Sequence, residues 1–186
     1  MPSNANVLLI RHAEKPDSGT GLSPAGQARA QAYVAYFQNY AINGDTLKLD
    51  YLFATADTDR SHRPRLTLEP LAHTLGLSIN DKHADEDYPK VADDLLTHGK
   101  YDDSNVLVCW HHGEILDLAA ALGASAATLP PSSNWPAKWP GDVFGWMLQL
   151  CYDGDGNLIP AQTVCLSQQL MYDDCGQQPP GPPASA

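Results

Sequence analysis

The sequence predicts an α/β fold: a three-layer α/β/α sandwich with a mostly parallel sheet and a C-terminal edge hairpin. Short, continuously apolar runs such as Val7–Ile10 and Asn105–Trp110 are typical of strands buried on both faces. These runs alternate with helix-like segments through most of the chain, which is the pattern of layered α/β proteins. The 186 residues are the length of one domain, and we assign residues 1–176 to it.

The first half of the chain predicts two strand–helix units. After Val7–Ile10 comes a polar loop, and then Ser23-Pro24, a pair typical of a helix N-cap and first helical position. The second unit is a short strand at Tyr51–Ala54, followed by a helix from near Pro64 to Leu75. Each unit therefore returns the chain to the start of another strand.

The second half adds strands and helices of the same kind and then changes character. A brief strand at Leu77–Ile79, a helix at Lys90–His98 and a helix at Glu114–Leu122 surround the buried strand that begins at Asn105. The strand-like stretches that follow are residues 143–152 and 158–170. They flank a turn rich in Asp, Gly and Asn, which favours a hairpin at the sheet edge.

The charge balance excludes two classes of partner. The chain has 11 Lys and Arg against 22 Asp and Glu, a net charge of −11 at pH 7. Nucleic acids and anionic membranes attract positive surfaces, so neither is an expected partner. No apolar run approaches the roughly 18 residues of a membrane-spanning helix, and the first residues lack the character of a signal peptide. We therefore expect a cytoplasmic protein; its oligomeric state is not predicted.

The cysteines and the C-terminal residues carry little chemistry. The four cysteines show neither CxxC nor zinc-site spacing, which favours free thiols in a reducing compartment. A bond between Cys165 and Cys175 stays open at this point. The last residues, Gln177–Ala186, are rich in proline and are predicted to form a disordered tail.

Basic side chains and histidines collect where strands end. Arg11-His12 follows the first strand, and His111-His112 follows the strand that ends at Trp110. In open α/β sheets, ligands bind at the carboxyl ends of the strands. With Pro64 at the first helical position, Arg63 would be the N-cap of its helix, beside free backbone N–H groups that favour anions. A pocket of this kind in an acidic protein suits a phosphate group.

These segments resemble the histidine phosphatase superfamily, the phosphoglycerate-mutase-like proteins. The matching motifs are LLIRHAEKP at residues 8–16, RPRLTLEPLA at 63–72 and VLVCWHHGEI at 106–115. The resemblance implies that His12 is a nucleophile that becomes phosphorylated and is then hydrolysed. It also implies that three residues hold the phosphoryl oxygens: Arg11, Arg63 (four residues before Thr67) and His112 (immediately before Gly113).

The general acid is less determined than the nucleophile. Asp85, Glu86 and Asp87 all lie in the interval where the resemblance implies the acid, and we favour Glu86 because its longer side chain reaches further. Arg60, His111 and Trp139 are candidate substrate-binding residues.

The expected activity is hydrolysis of a small phosphorylated metabolite through a phosphohistidine. No metal or other cofactor is expected, because the pocket arginines would repel a cation. Two alternatives stay open: a phosphoglycerate-mutase-type phosphotransferase, and a catalytically weak pseudo-enzyme that binds phosphorylated ligands.

Overall fold

A computed structural model describes residues 2–180, and these residues form an α/β sandwich around one six-stranded sheet. Four helices and eight strands follow one another along the described chain: β1 (Asn6–Arg11), α1 (Pro24–Asn39), β2 (Ala41–Ile42), β3 (Asp45–Thr46), β4 (Tyr51–Thr55), α2 (Arg63–Leu75), β5 (Ile79–His83), α3 (Tyr88–Thr97), β6 (Asn105–Trp110), α4 (Ile115–Ala121), β7 (Trp146–Cys151) and β8 (Val164–Ser167).

The sheet has the predicted mixed topology. Its strand order is β5-β4-β6-β1-β7-β8. The first four strands of that order are parallel, whereas β7 runs antiparallel to β1 and β8 antiparallel to β7. The C-terminal pair therefore closes one edge, as the sequence predicts. The short strands β2 and β3 form a separate two-stranded ribbon.

Alternating residues of β1 enter two different cores, which confirms the three-layer arrangement. Leu8 and Ile10 pack on the face covered by α1 and α2. Val7 and Leu9 pack on the opposite face, which is covered by α3 and α4. Because a strand alternates its side chains between faces, a fully apolar strand needs an apolar layer on each side.

Helix α1 begins where the sequence predicts. The Ser23 hydroxyl accepts a hydrogen bond from the Gly26 N–H at 3.1 Å, and Pro24 occupies the first helical position. A capping hydroxyl satisfies one of the N–H groups that have no partner within the helix. Tyr33 and Phe37, one turn apart, then face the core.

Several element boundaries differ from the prediction, including that of α3, which starts at Tyr88 instead of Lys90. The brief strand predicted at Leu77–Ile79 is instead β5, which starts at Ile79 and runs through polar residues. This is possible because β5 is an edge strand with one neighbour, so it needs no continuous apolar sequence. Arg63 is not the N-cap of α2: His62 is, and Arg63 is the first helical residue. The C-terminal hairpin strands are shorter than predicted.

The remaining predictions concern cysteines, the tail and membrane helices. All four cysteines are unpaired, with Cys175 exposed and the other three buried. Residues 177–180 have no regular structure, and the rest of the predicted tail, 181–186, lies outside the described residues. Within residues 2–180 no helix is both long and apolar enough to cross a membrane.

Candidate active site

The register of the sheet brings two histidines together. β1 and β6 are parallel neighbours, and Arg11 at the end of β1 pairs with Trp110 at the end of β6. The next residues, His12 and His111, therefore leave the sheet side by side. Their ring centroids are 4.9 Å apart and the rings are inclined at 68°. The His12 N–H also donates to the Trp110 carbonyl at 3.1 Å, which continues the ladder by one residue.

The His12 ring is held neutral in one tautomer. It is only 3% exposed, and its Nδ1 lies 2.7 Å from the Ala13 carbonyl oxygen. Because a carbonyl can only accept, Nδ1 carries the proton and Nε2 keeps its lone pair. Burial lowers the pKa of His12 to about 2, and the positive charges of Arg11 and Arg63 act in the same direction. Nε2 is therefore available as a nucleophile.

Arg11 is buried beside His12 and is oriented by the loop that precedes β7. Its Nη1 donates to the Val143 carbonyl at 2.8 Å, and its guanidinium carbon lies 3.9 Å from the centre of the Phe144 ring. Its Nε is buried without a hydrogen-bond partner among the described residues. Burial lowers the pKa of Arg11 to about 10, so the group remains charged near neutral pH. A charged donor without a partner suits an anion.

Arg63 brings a second guanidinium to the same place from α2. Its charge lowers the pKa of both His12 and His111. Within residues 2–180 its side chain makes one long hydrogen bond, from Nη1 to the Gly19 carbonyl at 3.4 Å, and its Nε is buried without a partner. Two arginines with unpaired Nε donors therefore act on the His12–His111 pair through their charge.

Thr67 ties the residue after His12 to the first turn of α2. Its hydroxyl accepts from the Ala13 N–H at 2.9 Å and donates to the Arg63 carbonyl at 2.7 Å. The side chain is fully buried, so both bonds are shielded from water. In the sequence Thr67 serves only as a spacing marker for Arg63. The sequence alone does not reveal that Thr67 bonds to Ala13, because that contact depends on α2 packing beside the end of β1.

The two adjacent histidines after β6 occupy different surroundings. His111 faces His12, and burial lowers its pKa to about 4, with further lowering by Arg63 and His112. His112 is half-buried, and burial followed by the charges of Arg11 and Lys15 lowers its pKa. The sequence rule of taking the histidine before Gly113 selects His112. The structure instead places His111 against His12, because His111 directly follows β6 beside the end of β1, whereas His112 lies in the turn that leads into α4.

Comparisons with known proteins identify the fold. No family model matches the chain, and no curated protein matches it. Among solved structures, phosphoglycerate mutase from Plasmodium falciparum superposes with a TM-score of 0.54 at 14% identity, over 84% of this chain and 88% of that one. The protein histidine phosphatase SixA in complex with tungstate superposes with a TM-score of 0.58 at 16% identity, over 93% and 99%. The chain has the phosphoglycerate-mutase-like fold.

The phosphoglycerate-mutase-like fold confirms the resemblance seen in the sequence motifs at the level of architecture. Identities of 14% and 16% show shared fold and do not establish a shared activity. Activity must therefore be inferred from the side chains at the carboxyl ends of β1 and β6.

In this phosphoglycerate-mutase-like chain the acidic turn before α3 contains three carboxylates in different settings. Trp110 Nε1 donates to the Asp85 backbone carbonyl at 3.1 Å, which fixes the turn beside the end of β6. Burial, followed by repulsion from Glu114 and Glu86, raises the pKa of Asp85 to about 7. The favoured candidate Glu86 is exposed, and Asp87 pairs with Lys90 at 2.7 Å. Asp85 therefore has the environment of a protonated acid near neutral pH.

The structure separates the candidate substrate-binding residues. Arg60 is exposed, and its side chain makes no hydrogen bond or ion pair within residues 2–180. Trp139 is 3% exposed, and its indole N–H donates to the Val143 carbonyl at 2.9 Å. It therefore braces the loop that holds Arg11. Phe144, which the sequence did not single out, lies over Arg11 and 6.1 Å from His12 between ring centroids.

A depression of about 490 Å³ adjoins the site on the His112 side. It is lined by His112, Gly113, Leu116, Asp117, Ala137, Lys138, Trp139 and Gly141. Among the described residues, no group of three or more His, Cys, Asp or Glu side chains is arranged to hold a metal ion.

Proposed function

We propose that the protein hydrolyses phosphate monoesters through a covalent phosphohistidine at His12. One observation carries the proposal. His12 is buried and neutral, its Nδ1–H is bound to the Ala13 carbonyl, and its ring lies against His111 within the influence of the charges of Arg11 and Arg63. A neutral imidazole with a fixed tautomer among cations has the properties needed to attack a phosphorus atom.

In the first step Nε2 of His12 attacks phosphorus and the bond to the ester oxygen breaks. Arg11 and Arg63 donate to the phosphoryl oxygens, where negative charge accumulates in the transition state. As the N–P bond forms, positive charge develops on the imidazole ring. The Ala13 carbonyl oxygen accepts a hydrogen bond from Nδ1–H at 2.7 Å and stabilises that charge.

We assign the second histidine of the site to His111 in place of His112. His111 lies against His12 and is neutral at physiological pH, since its pKa is lowered to about 4. A neutral imidazole can donate one hydrogen bond to a phosphoryl oxygen without trapping the product as an ion pair. His112 faces the adjoining depression, where it is placed to contact the part of the substrate that leaves.

We assign the general acid to Asp85 in place of Glu86. An alkoxide leaving group needs a proton. Asp85 Oδ1 is buried without a hydrogen-bond partner among the described residues, and burial raises the pKa of Asp85 to about 7, which favours the protonated form. After the alcohol departs, the resulting Asp85 carboxylate can take a proton from the attacking water. The water oxygen bonds to phosphorus, the P–N bond breaks, and His12 and Asp85 return to their starting states.

The substrate proposed is a small phosphorylated metabolite. The open depression beside His112 supports this, because it is small and carries Lys138 and His112 on its walls. A second candidate is hydrolysis of a phosphohistidine on another protein. It is favoured by the superposition on SixA, a protein histidine phosphatase, over 99% of the length of that chain.

A substrate panel in EDTA-containing buffer tests the proposal. The purified protein and its His12→Asn variant are assayed on alkyl phosphates, nitrophenyl phosphate and a phosphohistidine peptide. We expect turnover by the parent only, and ³²P trapped from labelled ester in an acid-labile, base-stable form on His12. Tungstate, the oxyanion bound by SixA, should compete with substrate. Turnover that survives in His12→Asn would contradict the covalent mechanism.

A further inference from the structure

A buried ion network joins the C-terminal turn, Tyr172–Gly176, to the residues that follow His12. Arg29 of α1 presents the edge containing Nε and Nη2 to the Glu14 carboxylate, with contacts of 2.7–3.1 Å. It presents the edge containing Nη1 and Nη2 to Asp174, at 2.9 and 2.7 Å. The side chains of Arg29 and Asp174 are each 1% exposed.

The network is satisfied at both ends, which makes its geometry well defined. Asp174 also accepts hydrogen bonds from the backbone N–H groups of Leu170 and Met171, each at 3.0 Å. Burial alone would raise the pKa of Asp174, but the hydrogen bonds from Arg29 and Met171 outweigh it and lower that pKa. A buried carboxylate bound by a bidentate arginine and two N–H groups has little freedom to move.

Glycines allow unusually close approach at both ends of the network. A Cβ on Gly26 of α1 would lie 2.4 Å from the Glu14 carbonyl oxygen and 2.9 Å from the Glu14 nitrogen. A Cβ on Gly145, just before β7, would lie 2.5 Å from the Asp174 carboxylate carbon. The backbone of Glu14 is therefore pressed against α1, and the Asp174 carboxylate against the start of β7.

The same contacts fix the peptide that selects the His12 tautomer. The carbonyl that accepts the His12 Nδ1 proton belongs to the peptide between Ala13 and Glu14. On one side of that peptide the Ala13 N–H is bound to Thr67, and on the other the Glu14 carbonyl accepts from the Ser23 N–H at 2.9 Å. Arg29 then holds the Glu14 side chain.

We propose that Asp174 is a positioning residue for the nucleophile: through Arg29 and Glu14 it holds the Ala13–Glu14 peptide whose carbonyl keeps the proton of His12 on Nδ1. The C-terminal turn thereby contributes to the reactivity of a residue at the other end of the chain. Asp174 controls the tautomer of His12 in the folded protein whether or not the protein is an enzyme. Its effect on catalysis rests on the proposed function.

A network that only anchored the C-terminal turn would behave differently. Its loss would lower the free energy of unfolding and leave the His12 ring unchanged in the folded protein. A positioning role predicts that the folded variant contains His12 in both tautomers. The tautomer is therefore the measurement that separates the two roles.

The test is a two-bond ¹H–¹⁵N correlation spectrum of protein labelled at histidine, recorded at pH 7.5 for the parent and for Asp174→Asn. In the parent we expect His12 as the Nδ1–H form alone. In Asp174→Asn we expect the Nε2–H form on the order of half of the molecules, because the carbonyl that suppressed it is loosened. The kcat should fall in proportion to the remaining Nδ1–H population, with KM unchanged within about 2-fold.

Two further variants keep the inference testable. Glu14→Gln weakens the other end of the network at a partly exposed side chain, and decides the matter if Asp174→Asn does not fold. Asp94→Asn is the matched control, since Asp94 of α3 accepts from Tyr101 at 2.6 Å and pairs with His98, the residue that follows α3.

The inference is overturned if folded Asp174→Asn or Glu14→Gln keeps the parent tautomer, if Asp94→Asn shifts it equally, or if the parent already holds the Nε2–H form. A parent with the Nδ1–H form that hydrolyses no phosphate compound would refute the proposed function and leave the tautomer result intact.

Discussion

In the proposed mechanism, burial near cations prepares His12 for attack without a partner base. Its pKa is lowered to about 2, chiefly by burial, so no separate residue is needed to remove a proton from the attacking nitrogen. Replacing His12 with Asn should therefore lower kcat on nitrophenyl phosphate by on the order of 10⁴ or more, the scale of loss when a nucleophile is deleted. Steady-state assays measure the loss, and circular dichroism checks that the variant folds.

The adjacent pair His111-His112 offers a matched comparison at a single site. His111 lies 4.9 Å from His12 between ring centroids, whereas His112 faces the neighbouring depression. His111→Ala should lower kcat by on the order of 10²-fold, the usual cost of removing one donor to a developing oxyanion. His112→Ala should act mainly on KM. A larger kcat loss in His112→Ala than in His111→Ala would return the role to His112.

The leaving group distinguishes an acid from a structural carboxylate. Nitrophenolate leaves without a proton, but an alkyl alkoxide needs one. Asp85→Asn should therefore lower kcat on an alkyl phosphate by on the order of 10²–10⁴ and spare nitrophenyl phosphate. Glu86→Gln, one residue away on the exposed side, is the control and should change neither rate. Equal losses on both substrates in Asp85→Asn would mean that Asp85 binds or supports the site.

Among the structural elements, α2 contributes Thr67 to the site as well as Arg63. Thr67 lies one turn after Arg63 and joins that residue's carbonyl to the Ala13 N–H. Thr67→Val keeps the shape and leaves a buried N–H without an acceptor. We expect a loss of about 1–3 kcal/mol in the free energy of unfolding. Thr67→Ser keeps the hydroxyl and should lose less. Urea unfolding of both variants measures the difference, and equal losses would show that the methyl group matters as much as the hydroxyl.

The elements that could be predicted from sequence are those whose local pattern decides their structure. Ser23-Pro24 caps α1 because a hydroxyl and a proline favour a helix start wherever they lie. The strand β5 was misplaced because an edge strand tolerates the polar run that starts at Asn80. Its identity depends on having β4 as its one neighbour, which is a tertiary fact.

The same limit applies to the candidate site. Arg11, His12 and Arg63 follow from motifs, and the structure brings all three together. The choice between His111 and His112 depends on the register of β1 against β6, which no single motif contains. The choice between Asp85 and Glu86 depends on which side of the acidic turn, Asp85–Asp87, faces the protein. From the sequence, the choice is based on side-chain length. Length does not determine which of the two carboxylates is buried.

For the whole molecule, the acidic charge and the cationic pocket are compatible because they occupy different places. The net charge is −11, yet Arg11 is buried beside His12, and Arg63 stands at the start of α2. Arg65, in contrast, is neutralised by Asp57 and Glu69 away from the histidines. A few unpaired cations in a shielded pocket act more strongly on an anion than many solvated carboxylates act across water.

The buried histidines should make stability depend on pH. His12 has a pKa of about 2 in the folded protein and of 6.5 when unfolded, so between these values the unfolded chain binds the extra proton. Stability from this residue is present above pH 6.5 and is lost as the pH falls, by about 2 kcal/mol between pH 7 and pH 5. His111 acts in the same direction. Asp85, whose pKa is raised, acts oppositely and gains stability on acidification.

These opposing groups are separated by comparing variants. His12→Gln removes one titrating histidine and leaves His111 and Asp85 in place. Between pH 7 and pH 5 this variant should lose about 2 kcal/mol less free energy of unfolding than the parent, since only the parent must keep His12 neutral against a rising proton concentration. Urea unfolding at both pH values gives the four free energies required. An equal loss in parent and variant would mean that His12 accepts a proton in the folded state, and that burial does not keep the nucleophile neutral.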